Sequence, residues 1–218
     1  QIIDEKNPIG EGSSSIVYRG IEKATNKQVA IKKIDTSKNY YKFIKNELKI
    51  YNRIKKENIT GVTPLLDYDE KNNPPEYFIF ELRKGYLSEK FLENLDYREK
   101  IRYCLKILET ISNLHNKGIV HLDLNPNNIL INDDNLPEIT DFGIGKLLLT
   151  TKTNTKTFSS LIGTPGYAAP EQFSEDSNVN IKPGKRSDVF SISILLHEIL
   201  YGGDYLEKLF KNNAIVNI

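Results

Sequence analysis

The apolar pattern of this 218-residue chain changes character near residue 84, from mainly strand-like to mainly helical, and that change limits the folds open to it. Before it the sequence reads mainly as strands. "NPIGEGSSSIVYRGIEK" alternates around a glycine-rich turn, and "QVAIKKID" is a β-branched run after the turn signal "TNK", so a hairpin pair is expected. One helix interrupts this part: "YYKFIKNELKIYNRI" sets Phe43, Ile44, Leu48, Tyr51 and Ile54 at three- and four-residue spacings. "TPLLDYD", the turn "EKNNPP" and "EYFIFEL" then supply two more strands. After "RKG" the period becomes helical, most clearly in "YREKIRYCLKILETISNLHNKG", which Gly118 should cap, and in "SDVFSISILLHEIL", apolar nearly all round and expected to be buried. Strands followed by helices predict an α+β class or two lobes.

Composition narrows the function classes. Formal net charge is +1 with 27% charged residues, so no polybasic surface for nucleic acid or anionic lipid is expected. No apolar run approaches the roughly 20 residues that span a bilayer, and the chain is expected to act in the cytoplasm. Cys104, the single cysteine, lies in an apolar helical pattern and reads as a core residue. Methionine is absent even at position 1, so the chain is expected to begin inside a longer polypeptide.

The candidate chemistry sits in four places. Gly10, Glu11 and Gly12 form a glycine-containing turn between two strands, with Ser15 where a third glycine could stand. Alone this fits an ordinary hairpin as well as a phosphate cover. Lys32 closes the alternating strand "VAIK", and Glu47 follows fifteen residues later on the inner face of the expected helix. A lysine at the end of a buried strand needs such a carboxylate, although a surface lysine and a solvated glutamate fit this pair alone. The third place is "HLDLNPNNIL", which gathers Asp123, Asn125 and Asn128, and the fourth is Asp141 before a Phe-Gly pair.

Taken together, "VAIK" (Val29 to Lys32), "DFG" (Asp141 to Gly143), "GTPGYAAPE" (Gly163 to Glu171) and "SDVFS" (Ser187 to Ser191) resemble the eukaryotic-type protein kinase family. The resemblance implies a two-lobed α+β fold with ATP in the cleft. Residues 1–82 would form a small antiparallel-sheet lobe with one helix. Residues 86–218 would form a mainly helical large lobe, shortened because the family continues through several more helices. A compact lobe of that kind could expose apolar surface and favour a homodimer.

Carried over by position, the resemblance makes Gly10, Glu11 and Gly12 a cover for the phosphates and sets Lys32, paired with Glu47, on the α and β phosphates. Val17, Ala30 and Leu130 would sandwich adenine, Phe80 would be the gatekeeper, and backbone groups of Glu81 and Arg83 would bind the adenine edge, their side chains not being needed. Asp123 would accept or orient the substrate proton, while Asn128 and Asp141 would hold Mg2+. Tyr51, His121 and Phe142, with Leu65 or Leu66, would stack as a spine joining the lobes.

Two positions depart from the family. Leu122 replaces the arginine that usually receives an activation-loop phosphate, which puts that form of regulation in doubt. Asn125 replaces the lysine that steadies the transferring phosphoryl group, a loss worth on the order of 10²-fold by analogy with other electrostatic donors. A nucleotide-binding scaffold without activity and a small-molecule phosphotransferase are the competing readings. The retained Asp123, Asn128, Asp141 and Lys32 oppose the first, and "GTPGYAAPE" opposes the second. A protein Ser/Thr hydroxyl is therefore the expected acceptor, with Thr164 bridging the catalytic Asp. Thr150, Thr151, Thr153, Thr155, Thr157, Ser159 and Ser160, in a stretch read as a loop, are candidate autophosphorylation sites or simply polar loop residues.

Overall fold

In the computed structural model, residues 2–12, 15–35, 41–147, 163–173 and 182–203 are described. The first part is a five-stranded antiparallel sheet in the order β1-β2-β3-β5-β4. Its strands are β1 (Gly10–Glu11), β2 (Ser15–Ile21), β3 (Gln28–Ile34), β4 (Leu65–Tyr68) and β5 (Tyr77–Glu81). Register places Val17 opposite Lys32 and Ala30 opposite Phe80, so the nucleotide-side candidates from three strands share one region of the sheet.

Helix α1 (Tyr41–Lys56) lies between β3 and β4 in sequence. Ile44, Ile50, Tyr51 and Ile54 fill its buried face together with Glu47, a charged residue at 4% exposure. That face repeats at three and four residues, so the stripe that buries the helix also aims a carboxylate inward. Leu65, and not the exposed Leu66, packs against the core.

The connector after β5 leads to β6 (Gly85–Tyr86), α2 (Glu89–Glu93) and the long α3 (Tyr97–Asn116). Asp96 and Glu99 form a reciprocal capping box at the start of α3, each side chain accepting the other's backbone N–H at 2.8 Å. The helix ends where Gly118 takes φ 73°, a left-handed conformation that suits glycine. Cys104 is buried in this helix with Ile107, Ile111 and Leu114, as its pattern indicates.

Short strands follow: β7 (Ile119–Val120), β8 (Ile129–Ile131), β9 (Pro137–Ile139) and β10 (Lys146–Leu147). β6, β8 and β9 make one small sheet, and β7 pairs with β10. They are too short to be legible in sequence, and they hold the loops that carry the site. Helix α4 (Lys185–Tyr201) packs on α3 and buries Ile192, Leu195 and Ile199. The expectation that it is buried all round is corrected: Val189 is 56% and Phe190 41% exposed, because no segment among the described residues covers that side. The candidate phosphorylation sites from Thr150 to Ser160, and the chain after Gly203, lie outside the described residues.

Candidate active site

The loop from His121 to Asn128 is fixed by its backbone. Leu122 is fully buried in a left-handed conformation at φ 68°, a state that costs a non-glycine residue about 1–2 kcal/mol. It persists because both its peptide groups are held from elsewhere. Asp188 Oδ1 accepts the Leu122 N–H at 2.7 Å, and Asp188 Oδ2 accepts the His121 N–H at 2.9 Å. Gln172 Nε2 donates to the Leu122 carbonyl at 2.8 Å. His115 Nε2 also lies 2.7 Å from Asp188 Oδ2. The Asp123 N–H donates to His121 Nδ1 at 3.2 Å, so the His121 proton sits on Nε2, which donates to the Thr140 carbonyl at 2.9 Å.

Asp123 emerges from this frame with its carboxylate oriented on both oxygens. Oδ1 accepts from the Thr164 hydroxyl at 2.7 Å and the Thr164 N–H at 2.9 Å. Oδ2 accepts from Asn128 Nδ2 at 3.1 Å, and that nitrogen also donates to the Asp123 carbonyl at 2.8 Å. Asn125 is 3% exposed, and its amide nitrogen turns inward, 3.0 Å from Thr164 Oγ1 and 3.3 Å from Asp123 Oδ1. Its Oδ1 accepts the Asn127 N–H at 3.0 Å and caps the short 3-10 turn Pro126–Asn128. The residue at the departing position is thus built into the Asp123 network.

Across the cleft, Lys32 Nζ lies 2.7 Å from Glu47 Oε1 and 3.0 Å from Asp141 Oδ1. Burial opposes the lysine's charge, but the Asp141 and Glu47 carboxylates outweigh it and raise its pKa. The two carboxylates respond in opposite directions. Burial raises Glu47, with nearby Asp141 adding to it, beyond what Lys32 can reverse. Burial also disfavours ionised Asp141, but the Lys32 ammonium prevails and its pKa is lowered, consistent with a side chain 45% exposed. Asp141 itself sits at φ 62°, with its N–H on the Tyr51 hydroxyl at 3.2 Å. Strain at such a residue is sustained only where surrounding contacts over-determine it.

An aromatic stack connects the two sides. Phe142 lies 5.3 Å from Tyr51 and 4.7 Å from His121, centroid to centroid, and Tyr51 lies 5.1 Å from Phe80. Gly10 and Gly12 stand at the outer edge of β1, where the Gly12 N–H donates to the Ser15 carbonyl at 2.9 Å. Glu11 is exposed there, while Val17 and Ala30 contribute to the core. Leu130 lies on β8, half-buried. Glu81 and Arg83 occupy the connector, and Arg83 pairs with Glu81 and Glu138 through a buried guanidinium.

Sequence reading missed Asp188, Gln172, His115 and Glu138 as site-shaping residues. One signal was present: Asp188 is a charged residue inside a strongly apolar helix, and such a group is buried only with partners.

Among the described residues no three His, Cys, Asp or Glu side chains gather into a complete metal site. The donor chemistry of the Asp141 carboxylate and the Asn128 side-chain amide oxygen suits Mg2+, which takes few protein ligands and completes its shell with water and phosphate.

Comparison with known proteins agrees with this architecture. The family described as protein kinase domain matches residues 3–217, and the chain belongs to that family. It is 33% identical to myosin light chain kinase A of Dictyostelium discoideum, over 97% of this chain and 72% of that protein. It is 34% identical to the LRR receptor-like serine/threonine-protein kinase ER1 of Oryza sativa subsp. japonica, over 92% of this chain and 20% of the relative. A probable serine/threonine-protein kinase of Clostridium acetobutylicum is 28% identical over 89% of this chain and 29% of its own length. No helix among the described residues is long and apolar enough to cross a membrane.

Proposed function

We propose that this protein kinase domain is catalytically active, uses ATP with Mg2+ and transfers the γ-phosphoryl group to Ser or Thr hydroxyls of protein substrates. The observation that carries this reading is the geometry at Asp123: Thr164 and Asn128 orient the two carboxylate oxygens separately, and Oδ2 accepts from only one of those groups. A substrate hydroxyl meeting Oδ2 would give up its proton there while its oxygen forms the new bond to the γ-phosphorus and the bond to the ADP oxygen breaks.

Each remaining residue has a role in this reading. Lys32, held by Glu47, binds the α and β phosphates. Gly10, Glu11 and Gly12 cover them, the two glycines without adding bulk, and Val17, Ala30, Phe80 and Leu130 shape the adenine pocket that backbone groups of Glu81 and Arg83 read. Asn128 and Asp141 would hold magnesium, which when bound neutralises charge on the phosphate oxygens. Asn125 secures Asp123 and Thr164. The relatives named as serine/threonine kinases support the choice of acceptor. Autophosphorylation of the Thr150 to Ser160 stretch is part of the same reading, as is a cytoplasmic setting.

The test is incubation with γ-labelled ATP, magnesium and a generic basic protein, beside an Asp123→Asn control. Label on phosphoserine or phosphothreonine that disappears in the control is expected. Binding of ATP without any Asp123-dependent label would instead establish a nucleotide-binding scaffold.

A further inference from the structure

The side chain of Arg83 has no part in the reading above, yet it is the most heavily engaged cation of the connector. Its side chain is 7% exposed. Nε lies 2.6 Å from Glu138 Oε2 and Nη2 lies 3.1 Å from Glu138 Oε1, a two-pronged pair, and Nη2 also lies 2.7 Å from Glu81 Oε2. The Glu138 side chain is 11% exposed and accepts a further hydrogen bond from Asn132 Nδ2 at 3.1 Å.

The backbone that follows Arg83 is fastened to the same small sheet. The Lys84 N–H donates to the Ile131 carbonyl at 3.0 Å and the Leu87 N–H to the Ile129 carbonyl at 2.8 Å. Glu138 in β9 stands opposite Leu130 in β8. The ion pair therefore ties the connector to the strand pair that presents Leu130.

A buried ion pair is a poor device for stability alone, since desolvating two charges costs about as much as their attraction returns, and an apolar pair of equal size is commonly as stable. What it supplies is direction. A guanidinium and a carboxylate joined by two hydrogen bonds fix each other's plane as well as their separation, which an apolar contact does not.

We propose that Arg83 and Glu138 are positioning residues for nucleotide recognition: their buried pair holds the connector backbone against β8 and β9, so that the purine edge and the purine face are read in one fixed geometry. This rests on the ATP-binding reading above. Adenine offers a donor beside an acceptor where guanine offers the reverse, so a carbonyl and an N–H held in register discriminate between them, and a slackened connector loses that discrimination.

The test measures equilibrium binding of ATP and of GTP, KM for ATP, kcat and thermal melting, on the full chain. Glu138→Gln is expected to weaken ATP binding on the order of tenfold, with the loss in KM rather than kcat and a smaller preference for ATP over GTP. The double variant Arg83→Met with Glu138→Leu leaves no unpaired partner from this pair. It should melt close to the wild type while keeping the weakened, less selective nucleotide binding. A double variant that binds ATP as tightly and selectively as wild type overturns the inference. So does a Glu138→Gln protein that melts earlier with affinity and base preference intact. Wild-type protein that binds neither nucleotide overturns the ATP reading itself, and the inference with it.

Discussion

The carboxylate of Asp188 in α4 accepts the backbone N–H of Leu122 at 2.7 Å, joining residues 66 positions apart at the base of the candidate catalytic loop. Both residues are fully buried. Asp188→Ala would leave the His121 and Leu122 N–H groups without this acceptor, at about 1–3 kcal/mol each. A loss of about 4 kcal/mol in urea unfolding is expected, with phosphotransfer falling further because Asp123 follows directly. Leu122→Gly separates strain from packing: relief of the left-handed backbone returns about 1 kcal/mol, while the lost side chain costs about 3 kcal/mol. Net destabilisation is the expected result, and a stabilised Gly variant would show that strain, not burial, dominates there.

Lys32→Met removes the ammonium from between Glu47 and Asp141. Activity is expected to fall at least about 10²-fold, and stability by about 3 kcal/mol because Glu47, 5% exposed at its side chain, is left buried without its partner. Adding Glu47→Leu should recover most of the stability and none of the activity. Parallel melting curves and phosphotransfer assays read the two effects separately.

The carboxylates beside Lys32 carry opposite pH signatures. Asp141 has a folded pKa below its ordinary 3.8, so it contributes stability that is present above 3.8 and is lost as pH falls through its folded value. Glu47 is raised above its ordinary 4.5, so its contribution is full below 4.5 and declines as pH rises through its folded value. Removing the first with Asp141→Asn should flatten the acid limb of stability against pH below about 4. Glu47→Gln should instead flatten a decline that begins above about 4.5. Urea midpoints collected from pH 3 to 7 check both; equal slopes in the two variants would contradict the assignment.

Asn125→Lys tests the missing cation. The change removes the cap on the Asn127 N–H and should cost about 1 kcal/mol of stability. If the catalytic reading holds, turnover should rise by about tenfold or more as a positive charge returns beside the phosphoryl path. Turnover that is unchanged or lower means that Asn125 is worth more in ordering Asp123 and Thr164 than a cation is worth in its place.

Much of the molecule was legible before folding. Period-two and period-3.6 patterns marked β2, β3, β5, α1 and α3, because burying one face of a regular element leaves its repeat in the sequence. The short strands β6 to β10 have no room for a repeat, and the half-exposed side of α4 is hidden by a composition that is apolar throughout.

The site divides along the same line. Sequence marked Lys32, Glu47, Asp123, Asn128 and Asp141 as the candidates for charge and chemistry, because the motifs around them resemble those of the protein kinase family and give each a position within it. Tertiary structure alone decided how those groups are held: Asp188 and Gln172 on the Leu122 backbone, Asn125 turned toward Thr164, Arg83 forked onto Glu138. Each of these contacts joins segments between 39 and 66 residues apart through atoms that need only a donor, an acceptor and the right distance. Such requirements leave no local pattern, so they become visible only once packing has brought the segments together.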